Sequence, residues 1–189
     1  IKKDTFVIVV SATWRRNKRL KEIYTFFELV EKKIKNTKLL ILGDVENKKN
    51  NENIIYAGKV EHNELPKWYR TGNIYLNMAW IDHNSNTMSE AIACGLPSIC
   101  CNNGGTKELV ESCNAGIVSN ADKEFNFDLV DYYNPPEPNY ENLLEDFLKI
   151  YNNYESYKLK INTNDVDMNI ASIKYLNFIN QCLKINENN

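Results

Sequence analysis

Short, β-branched apolar runs alternate with amphipathic segments through residues 1–118, and that alternation admits few folds. The first run, residues 5–11 (TFVIVVS), is apolar at nearly every position rather than at every second one. A strand with one wet face alternates, whereas a strand covered on both faces does not, so this run predicts a central parallel strand. Leu20, Ile23, Phe27, Val30 and Ile34 then recur at helical spacing and predict an amphipathic helix to about Lys35. Further strands are expected over 38–42, stopped by Gly43 and Asp44, over 53–57, closed by Gly58, and over 74–78, 98–101 and 117–118. Helices are expected over 63–70, with Leu65, Trp68 and Tyr69 facing inward, over 87–94, and from Thr106 to about Ser112. Such alternation means repeated βαβ units and a parallel sheet. Right-handed crossovers make it an α/β, Rossmann-like doubly wound parallel sheet, with ligands outside the carboxyl ends of the strands.

Two stretches on that edge concentrate polar chemistry. In residues 82–105 (DHNSNTMSEAIACGLPSICCNNGG), a helix is expected to begin at Asn86 or Thr87, and Thr87-x-x-Glu90 fits a capping box. Gly95 supplies the stop and Pro97 forbids resumption. Gly104 and Gly105 let the backbone approach a ligand before the next helix. Two helix N-termini fronted by small polar residues are thus expected to face one crevice, a place for a diphosphate. The loop of residues 12–19 (ATWRRNKR) sets four cations directly after the first strand. Arg15 or Arg16 as a fork, with Lys18 as a point charge, would neutralise that diphosphate; the alternative is a solvated turn of charges.

The run EAIACGLPSI at 90–99, followed by GGTKELV at 104–110, resembles the donor-binding signature of retaining glycosyltransferases of family 4, which have the GT-B fold. The resemblance spans roughly residues 7–120 and is most specific over 90–97. It implies that the chain is the C-terminal half of a hexosyltransferase and binds a nucleotide-diphosphate-sugar. Glu90 would hold the ribose hydroxyls, and Asp82, standing where the family has the first of two glutamates, would lie near the transferred sugar. Lys18 matches the family's phosphate-binding lysine, although the glycine that usually follows is Arg19 here. Ala12 stands at the usual arginine position, so Arg15 is the substitute, with Arg16 beside it. Backbone N–H groups of Asn86, Thr87 and Met88 would meet the distal phosphate, Gly43 would lie along the nucleotide, and Lys59 and Val60 would meet the base. Gly104 and Gly105 would form the turn beside the sugar, and Asn84-Ser85 replaces the family's usual Phe-Gly. Asp82, Glu90 and Lys18 are then the expected catalytic residues. Read locally, Glu90 is also half of a capping box, Asp82 an Asx-turn residue, Gly43 and Gly58 turn glycines, and His83 an incidental loop histidine.

Other features bound the partners. A net charge of −2 argues against a nucleic-acid binder. Five cysteines, an odd number without metal-like spacing, suggest free thiols in a reducing compartment, with Cys100 and Cys101 packing inside a strand. No ligand set for a metal is visible, and the resemblance implies no cofactor beyond the donor itself. No apolar run reaches the ~18 residues of a membrane span and no signal peptide is present, so a cytoplasmic protein is expected, with peripheral membrane association open. The chain is expected to be one domain, with a core over 5–120 and a helical extension over 140–185. That extension follows the break PPEP at 135–138: a helix over 140–157, a second break at 162–164, and a last helix with Met168, Ala171, Tyr175, Phe178 and Cys182 on one side and Asp165 near its start. The opening on Ile1 rather than Met fits a piece of something longer, and the GT-B resemblance implies an N-terminal acceptor domain as partner, towards which the final helices often cross. The alternatives are a non-catalytic nucleotide-sugar-binding module and a sugar-nucleotide epimerase of the same architecture.

Overall fold

The computed structural model describes residues 4–125 and 129–187, with side chains as far as residue 183. Its elements are β1 (Phe6–Ser11), α1 (Leu20–Lys33), β2 (Thr37–Leu42), β3 (Ile54–Gly58), α2 (Leu65–Tyr69), β4 (Ile74–Asn77), α3 (Asn86–Ala93), β5 (Ser98–Cys101), α4 (Thr106–Ser112), β6 (Gly116–Ser119), α5 (Tyr140–Asn152), α6 (Tyr154–Lys160) and α7 (Met168–Glu187). The strands form one six-stranded sheet in the order β3-β2-β1-β4-β5-β6, and every pairing between strands is parallel. The chain therefore winds outward from β1 to one edge, returns through α2, and winds to the other from β4. The gap between the ends of β1 and β4 is the switch point at which such sheets open a crevice.

The apolar runs are explained by two cores. Ile8 and Val10 of β1 join Phe26, Phe27 and Val30 of α1 and Leu143, Phe147 and Ile150 of α5 on one face. Val7 and Val9 join Tyr69 at the end of α2, Met88, Ala91 and Ile92 of α3, and Val110 of α4 on the other. The same alternation holds in β2, where Leu39 and Ile41 serve one core and Leu40 and Leu42 the other. Each such side chain contributes roughly 1.5–3 kcal/mol by leaving water, so a strand buried on both sides has no position to spare for a polar residue. All five cysteines are free thiols, and Cys100 and Cys101 are buried strand residues as expected.

Two expectations need correction. The α3 helix is capped by Ser85, whose Oγ accepts the Met88 N–H at 3.3 Å, so Thr87-x-x-Glu90 is not a capping box. The expected helix over 140–157 is two helices, because the chain leaves helical geometry at Asn153 (φ −126°, ψ 30°). Asp165 lies near the start of α7, in a 3-10 turn (Asn164–Val166) just ahead of it, and pairs with Lys174 at 2.9 Å. On α7, Met168, Tyr175, Phe178 and Leu183 are all more than half exposed. Among the described residues no helix is long and apolar enough to cross a membrane.

Candidate functional site

The loop that leaves β1 begins on the switch-point side of the sheet and turns through a 3-10 segment (Arg16–Lys18) into α1. Arg19, at the junction, has left-handed backbone (φ 57°, ψ 42°) and donates its N–H to Arg16 O at 3.1 Å. That conformation suits glycine, and it is where the resembled family has one. The arginine is held there by its side chain. Its guanidinium is fully buried, forks onto Asp122 at 2.9 and 2.7 Å, and donates to Pro136 O at 2.7 Å. Arg19 thus anchors the loop to the segment that follows β6 and adds no charge to the crevice.

The four cations of the loop consequently part company. Arg16 forks onto Glu22 at 2.7 and 3.0 Å and lines a separate cavity with Pro135 and Tyr140. Arg15 and Lys18 line the crevice, about 300 Å³ in volume, with Ala12, Asp82, Asn84, Asn86 and Thr87. Lys18 Nζ donates to Asp82 Oδ2 at 2.7 Å, the two side chains being 25% and 14% exposed.

The opposite wall comes from the end of β4. Asn77 Oδ1 accepts the Ala79 N–H at 2.9 Å and turns the chain, and Trp80 N–H donates to Asn17 O at 3.0 Å, tying this wall to the β1 loop. Ile81 then takes φ 54°, a left-handed conformation that costs a β-branched residue roughly 1–3 kcal/mol. It delivers Asp82 to Lys18. Alternate residues then face apart: Asp82 and Asn84 line the crevice, whereas Ile81 and His83 line a second cavity of about 410 Å³.

Gly104 and Gly105 are on that second side, with Lys107 and Glu124, and the two cavities share no lining residue. The expectation of two helix N-termini in one crevice is therefore corrected: α3 opens on Lys18, α4 on the far side of residues 82–83. The glycine pair is nonetheless part of the same construction. Gly104 forms a parallel bridge with Asp82, and a Cβ there would sit 2.2 Å from Asp82 O, on backbone at φ +86°. A Cβ on Gly105 would sit 2.1 Å from His83 O. These glycines let the Asp82 segment lie flat against the start of α4.

Thr87 and Glu90 stand three residues apart on α3, which places them on one face with Cβ atoms about 5–6 Å apart. Thr87 Oγ1 is 2.7 Å from the Tyr75 hydroxyl and 2.9 Å from Ser85 Oγ. Glu90 is half-buried, and its Oε2 accepts from the Tyr69 hydroxyl at 2.9 Å. Burial first, then the neighbouring Tyr75 and Glu90, push the Tyr69 phenol far above its ordinary range, so it is a fixed donor. Met88 is wholly buried, its N–H already held by Ser85. Gly43, Lys59 and Val60 line none of these cavities. A Cβ on Gly43 (φ +100°) would sit 2.2 Å from Ala12 O, which itself lines the crevice, and the Lys59 N–H donates to Asp44 at 2.9 Å. Val60 packs on the core that contains Tyr69. Among the described residues no group of three or more His, Cys, Asp and Glu could hold a metal ion.

Sequence reasoning missed Tyr69, Tyr75, Asp122 and the anchoring role of Arg19. Only Arg19 carried a signal, a bulky residue at a position the resembled family gives to glycine.

The model of the family glycosyl transferases group 1 matches residues 1–127. Alpha-monoglucosyldiacylglycerol synthase of Acholeplasma laidlawii is 25% identical over 147 residues, 72% of this chain and 37% of that protein. Sucrose-phosphate synthase from Thermosynechococcus elongatus shares the fold with a TM-score of 0.63 at 14% identity, over 95% of this chain and 47% of that one. Anabaena HepE in complex with UDP-glucose does so with a TM-score of 0.58 at 12% identity, over 91% and 49%. The chain thus spans less than half the length of each. Its Rossmann-like sheet matches that of these GT-B neighbours, and a match over 1–127 takes in all six strands together with Lys18, Asp82 and Glu90. The chain belongs to the glycosyl transferases group 1 family.

Proposed function

We propose that this chain is the donor-binding half of a retaining hexosyltransferase that uses a nucleotide-diphosphate-sugar. The observation that carries the reading is the row along α3: the Lys18–Asp82 pair, the helix N-terminus at Asn86 and Thr87, and Glu90 one turn on. Lys18, Arg15 and the N–H groups at the start of α3 take the diphosphate. Glu90 takes the ribose diol, and Asp82, beyond Lys18, faces the sugar. Bond cleavage leaves a nucleoside diphosphate, and the same cations and amides stabilise the charge that develops on it, which is electrostatic catalysis. With that charge met by side chains and backbone, no divalent ion is assigned to the site. No enzymatic base is assigned to this half either: the acceptor oxygen attacks from the leaving-group side as the bond to phosphate breaks, and its proton passes to the departing diphosphate. The UDP-glucose complex of HepE supports a donor of this class, and the glucolipid synthase supports glycosyl transfer as the activity.

The acceptor needs a second wall. The exposed apolar side of α7, with Tyr175 at 71% and Phe178 at 64% exposure, is the surface we assign to an acceptor-binding domain of the same protein. Sugar transfer by the full protein tests the assignment of Glu90. Glu90→Ala is expected to abolish most transfer, and unchanged transfer removes the reading. Donor binding without transfer in the wild type would favour a non-catalytic binding module.

A further inference from the structure

Glu90 is not free to choose where it points. Its Oε2 is bonded at 2.9 Å by the hydroxyl of Tyr69, a residue with no exposed surface that closes α2. Among the described residues no other side chain bonds this carboxylate. Tyr69 is itself wedged edge-on against Tyr75, with ring centroids 5.8 Å apart at 71°, and both rings belong to the core beneath α3. A flexible glutamate on a helix surface would otherwise sample several rotamers, and a carboxylate that must receive two ribose hydroxyls at once gains from having that freedom removed beforehand. A carboxylate has about four acceptor positions, so the bond from Tyr69 to Oε2 leaves Oε1 without a side-chain partner among the described residues.

We propose that Tyr69 is a positioning residue for ribose recognition: its buried phenol holds Oε2 of Glu90 and presents Oε1 to the ribose hydroxyls of the donor nucleotide. The proposal rests on the donor reading above and goes beyond it by naming the group that sets the specificity for ribose. Tyr75 plays a different part, since its hydroxyl meets Thr87 and the carbonyl of Ser11 rather than Glu90.

The test is a comparison of ribonucleotides with sugar-stripped analogues. UDP, GDP and ADP, and the 2′,3′-dideoxy form of whichever binds, are titrated into the wild type and Tyr69→Phe. Phenylalanine keeps the ring and its packing, and a thermal melt checks that the fold is intact. The wild type is expected to prefer the ribonucleotide, and Tyr69→Phe to lose roughly fivefold to tenfold of that preference while binding the dideoxy form as before. Tyr75→Phe is expected to leave the ratio unchanged. As a readout that needs no loss of the hydroxyl, 3-fluorotyrosine at position 69 should shift its fluorine resonance with the ribonucleotide and not with the dideoxy form. A wild type that binds none of the three overturns the donor reading and this proposal with it. A wild type that prefers ribose, with a Tyr69→Phe that keeps the same ratio, overturns this proposal alone.

Discussion

The ammonium of Lys18 and the carboxylate of Asp82 meet at 2.7 Å across the opening between the β1 loop and the chain that leaves β4. Two residues 64 positions apart thus close the crevice with opposite charges. A diphosphate entering there gains from the lysine and is opposed by the aspartate. Lys18→Ala is therefore expected to weaken nucleoside diphosphate binding by roughly 1.5–3 kcal/mol, about tenfold to a hundredfold. Asp82→Asn carries the opposite sign: it removes the competing anion, so the diphosphate binds a few-fold more tightly while transfer falls. Calorimetry on the two variants decides it, and weaker diphosphate binding by Asp82→Asn would contradict the arrangement.

The Arg19–Asp122 pair makes a prediction about stability. Both side chains are fully buried, so removing one leaves a charge with no water and no counter-ion. Asp122→Ala should cost about 3–5 kcal/mol in urea unfolding, and Arg19→Leu with Asp122→Leu should recover much of it, because the double change leaves no stranded charge. A double variant as unstable as the single one would show that the pair is not the source.

Gly104→Ala probes the bridge beneath Asp82. A methyl group 2.2 Å from Asp82 O, on backbone at φ +86°, forces the 82–83 segment away from α4. Both a loss of stability of roughly 1–3 kcal/mol and a loss of diphosphate affinity are expected, although residue 104 lines only the neighbouring cavity. Unchanged affinity in a destabilised Gly104→Ala would separate the glycine from the site.

Alkaline pH should unfold the protein by a traceable route. Burial pushes the Cys100 thiol from 9.0 up to about 12 and holds Cys101 well above its ordinary value. The unfolded chain therefore loses these protons first. Below pH 9 the contribution is fully present; it is lost as pH rises from about 9 towards 12, at about 1.4 kcal/mol per pH unit for each fully buried thiol. Tyr75, raised from 10.0 by burial, adds to the loss above pH 10. Melting temperature measured from pH 8 to 11 should fall from about pH 9, and less steeply in Cys100→Ala. A flat profile to pH 10.5 would rule the thiols out.

Much of this was legible in the residues, and the remainder shows what a sequence conceals. Strands β1 and β2 announced themselves because two cores demand an apolar residue at every position. Glu90, Lys18 and Asp82 were singled out by their spacing from the EAIACGLP run and from the end of β1, and Lys18 and Asp82 do meet in one crevice. The cap of α3 was misplaced because Ser85, Asn86 and Thr87 are all capping types, and only the direction of one hydroxyl decides among them. Arg19 was counted with the other cations of the loop because its partner is 103 residues away, and nothing local marks an aspartate as buried. The break between α5 and α6 was hidden by apolar spacing that continues to Tyr157 in the first core. Tyr69 read as core, and its hydroxyl, the only atom of it that concerns Glu90, leaves no trace in a pattern of apolar positions.

On the proposed reading, Lys18, the start of α3 and Glu90 form one seat for a nucleoside diphosphate. Calorimetric titration of the wild type, Lys18→Ala and Glu90→Ala with UDP-, GDP- and ADP-sugars measures it most directly. One of the three series is expected to bind the wild type, and each substitution to weaken it by about tenfold or more. Absence of binding by all three at millimolar concentration, or binding that neither substitution disturbs, would contradict it.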